Sequence, residues 1–192
     1  MMLCRNDLPA FFADRVGDAM DNQGVTLTET AAGYLSGMLV RLSRAQEVFA
    51  ERGPVVLAEL HMKARESPGR QAATLYQRMG DTALFVAGFF AESLERKPVG
   101  LSYYTDMGGA AYHQVAGITE KRGGEAMAEM FRELARRFED CVSVLSEVAD
   151  GDRPESDADL LRLYELWLTT RSPHAERRLA RLGLLPGSAG SA

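Results

Sequence analysis

Between Met127 and Val148 the apolar residues fall at Met127, Phe131, Leu134, Phe138, Cys141, Leu145 and Val148, in alternating steps of four and three. That spacing puts the side chains on one face of an α-helix and would scatter them over both faces of a strand. It predicts a helix from about Glu125 to Ala149, with a seam suited to an antiparallel neighbour or to a second subunit.

The same rule reads along most of the chain. Pro9 to Met20 carries Phe11, Phe12 and Val16 at helical spacing and closes at Asn22-Gln23-Gly24. Thr26-Leu27-Thr28-Glu29 has the form of a capping box, which predicts a helix start with Ala31, Leu35, Met38, Leu42, Ala45 and Phe49 inward. Gly53-Pro54 reads as the next boundary, followed by an inner face of Val56, Leu57, Leu60 and Ala64. Gln71 to Leu94 is apolar around nearly its whole circumference from Ala83 onward, the pattern of a helix enclosed by others. A further helix, about Ser102 to Thr119, turns Tyr104, Gly108, Ala111, Tyr112 and Val115 inward and stops at Arg122-Gly123-Gly124. Shorter helices are expected through Leu160 to Trp167 and Pro173 to Leu182. No segment alternates with period two, and no fixed-period repeat appears. The expectation is all-α: one domain over residues 1–186, a bundle of about seven or eight helices around a buried central helix. Residues 187–192, all Gly, Ser and Ala, read as a disordered tail or linker.

With 46% apolar residues over 192 positions, the chain has material for a continuous core. Lys and Arg total 22 against 27 Asp and Glu, a net charge of -5, so a general affinity for nucleic acid or anionic membrane is not expected. The first residues lack a basic segment followed by a long apolar run. The apolar run Ala83 to Ala91 is far short of the ~20 residues that span a bilayer. With only Cys4 and Cys141 present, these features point to a cytoplasmic protein without membrane insertion.

Arg78-Met79-Gly80-Asp81 stands one turn before that apolar run, and charges beside a dry core need partners. Arg78 and Asp81, three residues apart, are expected to pair with each other; a polar pair facing a ligand is the alternative. Gly80, Gly88, Ala83 and Ala87 face a second set of small residues, Gly108 to Ala111, so these two helices are expected to cross closely. His61 shares a face with Leu57, Leu60 and Ala64 and reads first as a hydrogen-bonded core residue. Tyr104 and Tyr112 need acceptors, which Asp81 or a ligand would supply. The five candidate ligand-binding residues are therefore Arg78, Asp81, His61, Tyr104 and Tyr112. Glu-x-x-His is absent, Glu59-Leu60-His61 has the wrong helical spacing for one metal, and no nucleotide or nucleophile motif is present. No catalytic residue, metal or cofactor is expected.

The strings Gly80-Asp81-Thr82-Ala83-Leu84-Phe85-Val86-Ala87-Gly88-Phe89-Phe90 and Tyr103-Tyr104-Thr105-Asp106-Met107-Gly108-Gly109-Ala110-Ala111-Tyr112 resemble those of uncharacterised all-helical bacterial proteins, as does Leu182 to Pro186. The resemblance covers most of the chain and implies a bacterial cytosolic setting, with no activity attached. The first functional expectation is a non-enzymatic adaptor or regulator acting through protein contacts or as a homodimer, with Met127, Met130 and Phe131 extending into an interface. The second is a small-molecule or metal-binding protein, or an enzyme, with a pocket between the central helix and the Tyr103 to Thr119 helix. Arg171, Arg177, Arg178 and Arg181 form a basic face that suits an acidic partner better than base edges.

Overall fold

The computed structural model describes residues 8–42, 46–94 and 99–150, together with Tyr164, Trp167, Leu168, Glu176 and Leu179; for 46–55 and 92–93 it describes the backbone alone. The chain divides into two compact units, Met1–Asp150 and Gly151–Ala192. The described part of the first unit holds α1 (Leu8–Gln23), α2 (Glu29–Leu42), α3 (Gln46–Glu66), α4 (Gly69–Phe89), α5 (Ala91–Leu94), α6 (Leu101–Glu120), α7 (Glu125–Arg136) and α8 (Phe138–Asp150). No strand occurs among the described residues, which bears out the all-α class. None of the described helices is long and apolar enough to cross a membrane. In the second unit the described residues are helical, with the rings of Tyr164 and Trp167 5.8 Å apart and Leu179 buried. The arginines of the expected basic face, and residues 187–192, lie outside the described residues.

Helix α4 is the centre of the first unit. It packs on α3, α6 and α8, and every residue from Met79 to Gly88 is buried. Each large side chain enclosed there, such as Leu84 or Phe85, contributes about 1.5–3 kcal/mol. The helix expected to reach Leu94 instead breaks at Phe90, where φ is -126° and ψ 21°. Phe85 stacks on Phe89 at 4.6 Å and meets Phe90 edge-on at 6.0 Å. Residues five apart on an unbroken helix point about 140° apart, so Phe90 reaches Phe85 only by leaving helical geometry.

Two other boundaries differ from expectation. Helix α3 begins at Gln46 and runs through Gly53-Pro54. The lost proline donor does not end a helix whose later turns bury Leu57, Leu60 and Ala64 in the core. The single helix expected over Glu125 to Ala149 breaks at Arg137, whose guanidinium donates to the Thr26 carbonyl and, through Nε, to Asp140 at 2.8 Å. The break leaves the apolar seam continuous: Phe131, Leu134, Phe138, Cys141, Leu145 and Val148 are all buried, and only Met127 is exposed.

Caps behave as tertiary devices. Thr28, not Thr26, caps α2, its Oγ1 accepting from the Ala31 N–H at 3.3 Å. The carboxylate expected from Glu29 is supplied by Glu133 of α7, which accepts from the Thr28 N–H at 2.8 Å and also from its hydroxyl. The ends of α1 and α6 fall where expected. Gly24 and Gly123 take φ of 63° and 80°, and bonds from Val25 to Met20 and from Gly124 to Thr119 close both ends in the pattern that favours glycine.

Candidate functional site

Asp81 projects from the buried turn of α4, and Gly80 beside it has a specific purpose. A Cβ at Gly80 would lie 2.5 Å from Cε1 of Tyr112, so only glycine admits that ring from α6. The Tyr112 hydroxyl donates to Asp81 Oδ1 at 2.9 Å, and the Tyr34 hydroxyl, from α2, donates to the same oxygen at 2.5 Å. Arg41, two turns further along α2, reaches Oδ2 at 3.2 Å while its guanidinium lies 5.5 Å from the Tyr34 ring centroid. Gln77 donates to the Tyr34 hydroxyl at 3.0 Å.

The expected Arg78–Asp81 pair does not form: Arg78 is exposed, and the guanidinium on Asp81 belongs to Arg41. Three residues apart on α4, the two side chains diverge because Asp81 turns into the α2–α4–α6 junction while Arg78 stays in solvent. Asp81 and Tyr112 are brought together as the need for an acceptor implied. His61 is half-buried on α3, its ring 6.1 Å from that of Tyr76, with Nδ1 buried and without a hydrogen-bond partner among the described residues. Tyr104 is buried two turns before Tyr112 and packs edge-on against Tyr103 at 5.5 Å. Among the described residues, no group of three or more His, Cys, Asp or Glu is placed to hold a metal ion.

Burial dominates the electrostatics of the cluster. It raises the Asp81 pKa above its ordinary 3.8, against the opposing pull of the Tyr34 and Tyr112 hydrogen bonds and of Arg41. Burial first, and then the Asp81 charge, raises both phenols well above their ordinary range, so they remain protonated donors at neutral pH. A raised carboxylate has a definite sign in linkage. Between 3.8 and the raised value the folded state holds a proton that the unfolded state has released, so this contribution to stability falls as pH rises through that window. Urea unfolding of wild type and Asp81→Asn across acidic pH is expected to show wild type losing stability relative to the variant as pH rises. A relative gain would contradict the assignment.

An open cleft among the described residues adjoins this cluster without containing it. A depression of about 400 Å³ lies between α4, α6 and α7, with Tyr34 in its wall. Helix α4 contributes Arg70, Ala73, Thr74 and Gln77. From α6 and the turn after it come Val115, Ile118, Thr119 and Arg122, and from α7 and its cap come Gly124, Met127 and Phe131. The helices are those between which a pocket was expected, yet none of Arg78, Asp81, His61, Tyr104 and Tyr112 lines it. The link is Tyr34, whose ring meets Phe131 at 5.2 Å and Tyr112 at 6.2 Å and separates the cleft from the carboxylate behind it. Sequence reasoning passed over Gln77, Thr74 and Arg70 because they sit on the polar face of α4, where solvent is the default. No family model matches this chain, and neither a curated protein nor a solved structure is significantly similar to it.

Proposed function

We propose that this protein is a non-catalytic binding protein whose site is the cleft between α4, α6 and α7. The observation that carries the reading is the composition of that cleft. Its lining is apolar at Ala73, Val115, Ile118 and Phe131, with Tyr34, Thr74, Gln77 and Thr119 as polar residues among them. Its volume falls within the range of about 300–1,000 Å³ typical of small-molecule sites. The titratable groups in the lining are two arginines and a tyrosine raised by burial. Such a tyrosine keeps its proton near neutrality, which suits holding a ligand rather than acid–base work. An interface along the α7–α8 seam has less to offer, since Met127 is its one exposed member and Met130 is buried. A bacterial cytoplasmic setting belongs to the same reading. The buried free thiol of Cys141, whose pKa burial pushes up to about 12, fits the reducing compartment in that reading.

Indole, a neutral aromatic probe, is expected to shift the methyl NMR signals of Val115, Ile118 and Met127 in a saturable way. Ala73→Trp, or Thr74→Trp at the exposed rim, fills the cleft and should abolish those shifts while unfolding stays cooperative. Shifts that persist in both variants, or that cluster on methyls elsewhere, would overturn the reading.

A further inference from the structure

The two charged residues of the cleft are both cationic, and both sit at one end of it. Arg70 lies in the first turn of α4, and Arg122 in the turn between α6 and α7. The Arg122 guanidinium reaches across to α4: a Cβ on Gly69, the residue before Arg70, would lie 3.4 Å from its Nη1. No carboxylate lines the cleft. The acidic side chains of the neighbouring helix faces are engaged elsewhere, Glu120 and Glu129 with Arg132, and Glu129 also with Arg136. Among the described residues neither Arg70 nor Arg122 forms a salt bridge. Two like charges gathered at one mouth repel unless an anion lies between them, and a guanidinium fork matches the paired oxygens of a carboxylate or phosphate. The rest of the lining is largely apolar, with Val115, Ile118 and Phe131 in the wall and the exposed thioether of Met127, a side chain that adapts to different ligand shapes.

We infer that the cleft is selective for small amphipathic acids. Arg70 and Arg122 hold the oxyanion head, a short acyl or aryl body lies along Ala73, Ile118, Met127 and Phe131, and Tyr34 and Gln77 form the polar edge. This rests on the cleft being the ligand site and adds the ligand's chemical class to it. The head is defined by charge and paired oxygens, a chemistry that carboxylates and phosphate monoesters share.

Four probes with the same apolar body separate the possibilities: octanoate, octyl phosphate, 1-octanol and octylammonium, each titrated against the full chain by methyl NMR. The acids are expected to shift Ile118 and Met127 with affinities at least roughly tenfold above that of the alcohol, and octylammonium to bind weakest. Octanoate ahead of octyl phosphate identifies a carboxylate site, and the reverse order a phosphate-ester site; both support the inference. Arg70→Gln and Arg122→Gln, at exposed positions where folding is undisturbed, should each weaken the acids by about tenfold and leave 1-octanol unchanged. Equal binding of acid and alcohol, or acids indifferent to both arginine variants, would overturn the inference. In that case indole binding lost in Ala73→Trp still upholds the cleft as a site, so the two readings fail separately.

Discussion

Asp81→Ala is expected to lower the stability of the fold by about 3 kcal/mol, read from urea unfolding at neutral pH. The carboxylate is the acceptor for two phenols, and one of them, Tyr112, is fully buried. Without Asp81 the Tyr112 hydroxyl keeps only the Met38 sulfur at 3.9 Å, a weak acceptor. A buried hydroxyl left unpaired costs about 1–3 kcal/mol. Tyr34 suffers less because it is only half-buried at the cleft wall, where its freed O–H can reach water. Arg41 contributes little to the loss, since about half of its side chain already meets solvent and its charge rehydrates. The double variant Asp81→Ala/Tyr112→Phe removes the orphaned hydroxyl along with its acceptor. It should therefore lose clearly less than the sum of the single changes. Additive losses, or a loss under about 1 kcal/mol for Asp81→Ala, would show that the cluster does not stabilise the core as its geometry implies.

A second large effect comes from adding one methyl group. A Cβ at Gly108 would meet Phe138 Cζ at 2.2 Å and Ala83 Cβ at 2.9 Å, so α8 or α4 would have to give way. Alanine gains about 1 kcal/mol over glycine inside a helix, but overpacking a closed core costs about 1–3 kcal/mol and occasionally more. We expect Gly108→Ala to lower stability by about 2 kcal/mol net, with partial recovery when Phe138 is shortened to leucine. Gly33, exposed within α2, has nothing within 4 Å of a would-be Cβ. The same substitution there should raise stability by about 0.5–1 kcal/mol. If thermal melts move in the same direction for both variants, the close crossing at Gly108 does not have the consequence described.

The contrast between these glycines shows what local pattern can carry. The helical class, the buried face of almost every helix and the glycine stops at Gly24 and Gly123 follow from spacing and from φ preferences, which are properties of short windows. The close crossing expected of α4 and α6 is present at Ala83 and Gly108, but Gly80 accommodates a tyrosine ring and Gly88 abuts Leu145 of α8. A small residue announces that something approaches and not what approaches. Asp81 was legible as a buried charge in need of partners, whereas Arg41 and Tyr34 lie 40 and 47 positions away and nothing near Asp81 points to them. The nearest opposite charge in sequence, Arg78, was the wrong partner because helix neighbours three apart share a face only loosely once one of them turns into a junction. The cleft was legible in its pair of helices and illegible in its lining. Thr74, Gln77 and Arg70 look like ordinary solvent residues until α7 is folded beside them.

The caps of the N-terminal helices have a consequence for how this chain comes to be folded. Thr28, at the start of α2, is bonded to Glu133, 105 positions later, and Asn22 and Gln23, at the end of α1, to Glu147, 125 and 124 positions later. Helical proteins usually fold fast because their contacts are local, while contacts of wide separation slow folding through the entropy of loop closure. A chain emerging from the ribosome carries α1 and α2 with their local caps alone, and the bonds to Glu133 and Glu147 form only once α7 and α8 arrive. Helices made early thus gain part of their hold on the fold late.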